Sequence, residues 1–380
     1  MDLDLSHPAL EDLRRTAKRR IPHFAFEYLD SGTGRELQVK RNRDALDAVL
    51  FKPEILRGPA DHDWRTDLLG TTYDLPFGIA PVGMSGLIWP GAEKMLAATA
   101  QNRRIPYGLS SVATQLPEDI GPIAGDMGWF QLYCPADPAV RQDILRRAKA
   151  SGFRKLIFTV DVPDDSRRER QRRANLNVPL KITPYMIWEV LTHPKWAVGT
   201  ARVGKPTIKL AESYLKNTKS RSSTNHAGMA IRGKPDWETF KILRDEWDGP
   251  MLVKGIQSAE MAKRTLAIGA DALWVSNHSG RQLEAGPAAI TQLPEVRAAV
   301  GPDVPLVFDS GVATGVDIMR AYALGANYVM MGRAWHYAAA AFGQLGIDHL
   351  IHILMDDIVL NMAQIGAQKL SDLPSRVLTS

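Results

Sequence analysis

A histidine and an arginine three residues apart, His278 and Arg281, sit in the stretch SNHSGRQL over 276–283. The apolar run Ala272, Leu273, Trp274, Val275 precedes them and reads as a short buried strand. At the end of such a strand an imidazole can move a proton near neutral pH. A guanidinium can grip a carboxylate through two parallel hydrogen bonds. The pair suits a small hydroxy acid. Taken alone, the segment is equally compatible with an ordinary loop that holds a satisfied histidine. The elements that would position it therefore decide the matter.

Short apolar runs recur at 77–81, 107–110, 129–133, 156–161, 251–254, 273–276, 306–309 and 328–331. Amphipathic helical patterns such as 140–150 and 259–268 lie between most of them. Eight strands alternating with helices predict an α/β chain folded as a (β/α)8 TIM barrel. One domain over 1–380 is expected: an N-terminal helical segment over 1–70, the barrel over 71–380, and a long mobile insertion over 174–237 after the fourth strand. A charged helix is expected from Leu10 to Arg20. The low-complexity patch KSRSST at 219–224 reads as mobile loop. The first half of the insertion is different, because 185–191 and 196–198 are aromatic and apolar. One reading is a lid or an oligomer contact. The other is an interfacial membrane anchor, where Trp and Lys meet at the headgroups.

Barrels of this kind carry their chemistry at the C-terminal strand ends. Gln131 and Tyr133 end the third predicted strand, Thr159 and Asp161 the fourth, and Lys254 the fifth. Ser276, Asn277 and His278 end the sixth, Asp309, Ser310 and Gly311 the seventh, and Gly332 and Arg333 the eighth. Buried strands do not usually finish in Lys, Asp and His by chance, so a catalytic end is expected. The loops after the last two strands are the usual phosphate site of the fold. Small residues there let backbone N–H groups approach a phosphate, and Arg333 adds charge. Lys254 could stabilise negative charge on a cofactor ring, or could be a salt-bridged structural lysine.

Composition narrows the classes. Hydrophobic residues make up 45% and charged residues 23%, which suits a globular protein with a sizeable core. The net charge of +5 is compatible with anionic small molecules or an anionic membrane surface. It is too diffuse to argue for nucleic acid, and no zinc-finger or RNP-like pattern supports one. The single cysteine, Cys134, rules out an intramolecular disulfide and a cysteine-based metal site, and no metal is expected. No signal-peptide layout or run of membrane-spanning length is present. The expected location is cytoplasmic, with a peripheral seat on the inner face of the cell membrane as the alternative.

Several motifs in order resemble the FMN-dependent L-2-hydroxy acid oxidases and dehydrogenases, the glycolate oxidase, lactate dehydrogenase and mandelate dehydrogenase type. They are YLDSG at 28–32, IAPVG at 79–83, WFQLY at 129–133, TVDVP at 159–163 with Arg167, Arg168 and Glu169, LVKG at 252–255, the 276–283 stretch, and Gly332 with Arg333. The resemblance implies FMN as cofactor, a 2-hydroxy acid as substrate, and a quinone, a cytochrome or O2 as electron acceptor. It also implies a homotetramer. Ala80, Pro81, Val82, Ser110, Gln131, Thr159, Lys254 and Ser276 would hold the flavin ring and ribityl chain. Asp309, Gly311, Gly332 and Arg333 would hold ribityl and phosphate. Tyr28, Arg168 and Arg281 would bind the substrate carboxylate, and Tyr133 the substrate hydroxyl. His278 would take the hydroxyl proton, with Asp161 stabilising the imidazolium, while hydride passes to flavin N5.

The chain departs from the family pattern in places. Ala313 stands where relatives place a phosphate-binding arginine. Asp164 and Asp165 fall near where many relatives have an apolar residue facing the substrate side chain. Val112 leaves room for a substrate larger than glycolate. Gly83 and LIWP at 87–90 resemble the membrane-associated mandelate dehydrogenases, which favours a dehydrogenase over an oxidase. The alternatives are an FMN- or phosphate-binding barrel with other, isomerase-like chemistry, and a non-catalytic barrel.

Overall fold

The computed structural model describes residues 2–58, 63–176, 183–215 and 231–378. Ten strands are described. A hairpin, β1 (Thr66–Leu68) and β2 (Thr71–Tyr73), precedes the barrel strands. These are β3 (Phe77–Ile79), β4 (Tyr107–Ser110), β5 (Gly128–Leu132), β6 (Lys155–Thr159), β7 (Met251–Ile256), β8 (Ala272–Val275), β9 (Leu306–Phe308) and β10 (Tyr328–Met331). All eight pair in parallel, and β10 closes on β3. Each coincides with one of the predicted apolar runs. Their residues are buried throughout, as required of parallel strands covered by helices on one face and by packed side chains on the other.

Local signals set the helices between them. Asp137 caps the helix Pro138–Ala150 by accepting from Ala139 N, with Pro138 in its first turn. Ser258 caps Ala259–Ala267 by accepting from Met261 N. The expected charged helix spans Leu10–Arg20. One irregularity matters for the site. The β7–β8 register shifts between Lys254 and Ile256, where Gly255 has φ +111°. A Cβ there would stand 2.6 Å from Asp161 Cβ, so the glycine leaves room for that carboxylate.

Two expectations need correction. The N-terminal segment is helical only in part, because it gives way to the β1–β2 hairpin. Three-residue strands are too short for alternation to be read from sequence, although Leu69 and Gly70, both at positive φ, form the turn such hairpins favour. The hairpin packs on the N-terminal end of the barrel. Trp129 Nε1 donates to Tyr73 Oη at 3.0 Å, and Lys155 Nζ donates to Thr71 Oγ1 at 2.7 Å. The insertion also differs. Its described residues form the helices Pro184–Thr192, Pro194–Val203 and Lys209–Leu215 rather than loop. The 219–224 patch lies outside the described residues.

Candidate active site

The C-terminal strand ends bring the expected residues to one face. His278 leaves β8 at φ +54°, and Ser279 and Gly280 follow at positive φ. This tight left-handed turn swings the imidazole back toward β6. There His278 Nδ1 lies 3.0 Å from Asp161 Oδ1. A proton on Nδ1 shared with the carboxylate leaves Nε2 as the open acceptor. Among the described residues Asp161 Oδ2 is buried without a partner. Burial lowers the imidazole pKa below 6.5, with Lys254 and Arg168 acting in the same direction and Asp161 against them. The histidine is therefore neutral near pH 7 and able to accept a proton. Burial works to raise the Asp161 carboxyl, but His278 and Lys254 outweigh it, and the net direction is down.

Behind this pair runs a buried polar row. Ser110 Oγ donates to Gln131 Oε1 at 2.7 Å, and Gln131 Nε2 donates to Thr159 Oγ1 at 3.1 Å. Lys254 Nζ donates to Ser276 Oγ at 2.8 Å and pairs with Asp309 at 3.2 Å. Burial pulls the ammonium down, yet Asp309 and Asp161 more than offset it and raise its pKa. Ala80, Pro81 and Val82 leave β3 beside β10, and Ala80 N donates to Met331 O at 2.8 Å. A Cβ at Gly332 would stand 3.1 Å from Val82 Cγ2, so the glycine keeps a passage open.

Three arginines of the site, Arg168, Arg281 and Arg333, form a cluster. Arg281 donates to the carbonyls of Tyr28, Leu29 and Ser31 at 2.9, 3.1 and 2.9 Å. Arg333 donates to those of Leu29, Ser31 and Ser279 at 3.2, 3.2 and 3.3 Å. Arg168 is held by Ser166 Oγ at 2.9 Å and Gln282 Oε1 at 3.2 Å. Among the described residues none of the three forms an ion pair. Burial, followed by Arg168 and Arg333, pulls the Arg281 pKa well down. Arginine stays charged all the same, so the cluster is an electrostatic well for an anion. Tyr28 donates to Gly83 O at 3.0 Å beneath the Arg281 guanidinium. Burial, followed by Asp161, raises the Tyr133 phenol. It therefore stays protonated as a donor.

The β9 loop is occupied differently from the expectation. Ala313 N and Thr314 N donate to Asp317 Oδ2 at 2.9 and 3.1 Å, and Arg43 and Arg320 hold that carboxylate. These backbone donors are already satisfied, which leaves Gly311, Gly332 and Arg333 for an anion. The carboxylates at 164 and 165 face outward and are exposed.

Sequence reasoning missed several supports. Ser310 Oγ accepts from Asn277 N and Ser279 N at 3.2 and 3.1 Å, tying the β9 loop to the histidine loop. Asn42 and Asn277 exchange amide hydrogen bonds of 2.9 and 2.7 Å, which fixes the helix Leu37–Asp47 to the same loop. Ser111 Oγ accepts from Tyr133 N at 3.2 Å. Asn277 and Ser310 were legible as strand-end residues, but serine and asparagine in loops are too common for one sequence to show what they hold.

A family model described as FMN-dependent dehydrogenase matches residues 17–380. An L-lactate dehydrogenase of Vibrio parahaemolyticus is 34% identical over 367 residues, covering 96% of this chain and 97% of its own. One of Stenotrophomonas maltophilia strain K279a is 34% identical over 374 residues, covering 98% of each. Among solved structures, the monotopic membrane protein (S)-mandelate dehydrogenase superposes with a TM-score of 0.90 at 32% identity, covering 98% of this chain and 99% of that one. A mandelate oxidase with 3,3-difluoro-2-hydroxy-3-phenylpropionic acid gives a TM-score of 0.81 at 29% identity, covering 98% of each chain.

Proposed function

The chain belongs to the FMN-dependent dehydrogenase family, and on that premise we propose that it oxidises an L-2-hydroxy acid to the 2-oxo acid. The observation that carries the reading is a neutral His278 paired with the Asp161 carboxylate, at the same barrel end as a cluster of guanidiniums that have no carboxylate partners among the described residues. Arg168 and Arg281 bind the substrate carboxylate, with Tyr28 beside them. Tyr133 donates to the substrate oxygen. His278 Nε2 takes the hydroxyl proton, and Asp161 stabilises the imidazolium that results.

The residues present fit FMN. The row Ser110, Gln131, Thr159 offers hydroxyl and amide partners to a polar ring edge. Lys254 offers a buried cation, Ser276 holds that cation in place, and Gly332 keeps its passage open. The backbone of Ala80, Pro81 and Val82 would face the ring. Asp309, Gly311, Gly332 and Arg333 would hold the ribityl phosphate. When bound, FMN supplies the two-electron acceptor that no side chain provides. Anaerobic mixing with L-2-hydroxy acids tests the proposal through bleaching of the flavin absorbance. A bound flavin that none of them reduces would overturn it.

We assign the reoxidant to a membrane quinone or cytochrome rather than O2. The supporting observation is the outer face of the insertion helices, where Trp188 is 63% and Leu191 69% exposed alongside Tyr185 and Ile187. Apolar side chains in this density on one helix, Pro184–Thr192, suit an interface-lying anchor. Not all of 185–198 is available for contact. Met186 and Trp196 are buried, and Trp196 Nε1 donates to Leu87 O at 3.0 Å. Among the described residues no helix is long and apolar enough to cross a membrane. Co-sedimentation with anionic vesicles checks this, and Trp188→Ser with Leu191→Ser should abolish it while flavin reduction persists.

A further inference from the structure

Arg232 lies outside every role given so far. Its guanidinium sits over the Tyr133 ring, 5.2 Å from the centroid. Its Nη1 donates to Asp165 Oδ1 at 2.7 Å, and among the described residues the other two nitrogens have no hydrogen-bond partner. The backbone fixes this placement. Gly233 N donates to Cys134 O at 2.6 Å, and a Cβ at 233 would also stand 2.6 Å from that oxygen. The chain can pass so close only as glycine. On the other side Ile231 is buried in the main core, in the same cluster as Cys134. Arg232 is thus pinned over Tyr133 from both sides.

The groups on a 2-hydroxy acid's reacting carbon make different demands. The hydroxyl goes to Tyr133 and His278, and the carboxylate to Arg168 and Arg281. The substrate side chain is left over. Arg232 touches the first of these residues, and its charge reaches Arg168, where it adds to the depression of that guanidinium's pKa. Its partner Asp165 stands three residues before Arg168 on the loop after β6, next to Asp164, which pairs with Lys234 at 2.5 Å. An arginine whose carboxylate partner faces outward is a poor surface for an alkyl or phenyl substituent, because burying one against it would strip water from the guanidinium.

We propose that Arg232 is a specificity-determining residue that binds a second anionic group on the substrate side chain, making 2-hydroxydicarboxylates the preferred substrate class. The proposal rests on the 2-hydroxy acid reading above. Asp165 is the internal occupant of the guanidinium, and the substrate's distal carboxylate replaces it. The exchange is favourable for two reasons. The Asp165 side chain is 72% exposed and regains water when released, and such exposed pairs hold weakly. The incoming carboxylate meets a half-buried planar fork suited to bidentate binding.

The experiment compares anaerobic flavin reduction of the holoenzyme by 2-hydroxydicarboxylates and by chain-length-matched 2-hydroxymonocarboxylates. Wild type, Arg232→Met, Arg232→Lys and Asp165→Asn are used, with flavin content and melting temperature checked for each. Wild type should favour the dicarboxylates. Arg232→Met should lose roughly 10- to 100-fold more in kcat/KM for them than for the monocarboxylates, the worth of a charge-assisted hydrogen bond. Arg232→Lys should recover part of that loss. Asp165→Asn, an exposed change, should raise the dicarboxylate value by removing the competitor. Monocarboxylates reduced as well as dicarboxylates by wild type, or equal losses on both classes in Arg232→Met, overturn the inference while leaving the hydroxy acid reading intact. Reduction by neither class overturns that reading itself.

Discussion

The two ends of the barrel are built from the same strands and finished in opposite ways. At the N-terminal end the β1–β2 hairpin satisfies what it covers. Tyr73 accepts from Trp129, Thr71 accepts from Lys155, and Tyr328 Oη donates to Leu75 O at 2.7 Å. At the C-terminal end, among the described residues, Asp161 Oδ2 is buried and unpartnered, and guanidiniums cluster without carboxylates. Two buried lysines make the contrast sharp. Burial lowers the Lys155 pKa, and among the described residues its one hydrogen-bond partner is a neutral hydroxyl. Lys254 sits among carboxylates that raise it. Unfinished polar chemistry is destabilising, and a buried carboxylate oxygen beside unpaired guanidiniums marks the C-terminal end as a place where ligands complete the structure.

The largest effect that could break this contrast is at His278. His278→Gln should keep its flavin yet slow flavin reduction by about 10²- to 10⁴-fold, the range for a lost general base. Retained reduction would remove the histidine from the reaction. The pH profile sharpens the point. His278 must be neutral to accept a proton, and its pKa lies below the usual 6.5. The rate should therefore be flat above about pH 6.5 and fall only as pH drops through that lowered value. In Asp161→Asn the charge that raises the histidine pKa is gone. The acid limb should move to still lower pH while the plateau drops roughly 10²-fold, because the imidazolium is no longer stabilised. A limb that moves toward higher pH would contradict the assigned pairing.

The lysines come next. Lys254→Met leaves Asp309 and Asp161 buried without their nearest cation. It should cost about 3–5 kcal/mol in equilibrium denaturation, the range for breaking a buried pair, and impair flavin reduction as well. Lys155→Met removes a buried cation from a neutral partner. It should stay within about 1 kcal/mol of wild type and leave flavin reduction unchanged. Equal costs at both positions would mean that the ends do not differ electrostatically.

The asymmetry also governs what a single sequence discloses. The C-terminal end was legible because strand periodicity places Lys254, His278 and Asp309 at run ends, where such residues are out of keeping with a core. The family resemblance then implied Asp161 as the partner of His278, and the two lie 3.0 Å apart. The hairpin was not legible, since strands as short as Thr66–Leu68 carry no period. Nor was the Tyr133–Arg232 contact, which depends on Gly233 passing Cys134 after a long excursion of the chain. The capture of Ala313 N and Thr314 N by Asp317 was hidden as well, although the pattern of Thr314 followed by an acidic residue three places on is a capping box readable in principle.

The smallest effect tests the finished end. Tyr73→Phe removes only the oxygen that accepts from Trp129 Nε1, leaving an indole N–H buried among Tyr328 and Trp274 with no acceptor. A buried donor left unmade costs about 1–3 kcal/mol, whereas the ring packing is kept. The expected outcome is a lowered melting temperature with flavin content, flavin reduction rate and its pH profile all as in wild type. Trp129 is the second residue of the strand that ends beside Tyr133, so transmission along β5 would show as a changed rate. An unchanged rate in a destabilised protein would establish that the closed end sustains the fold while the open end alone carries the chemistry.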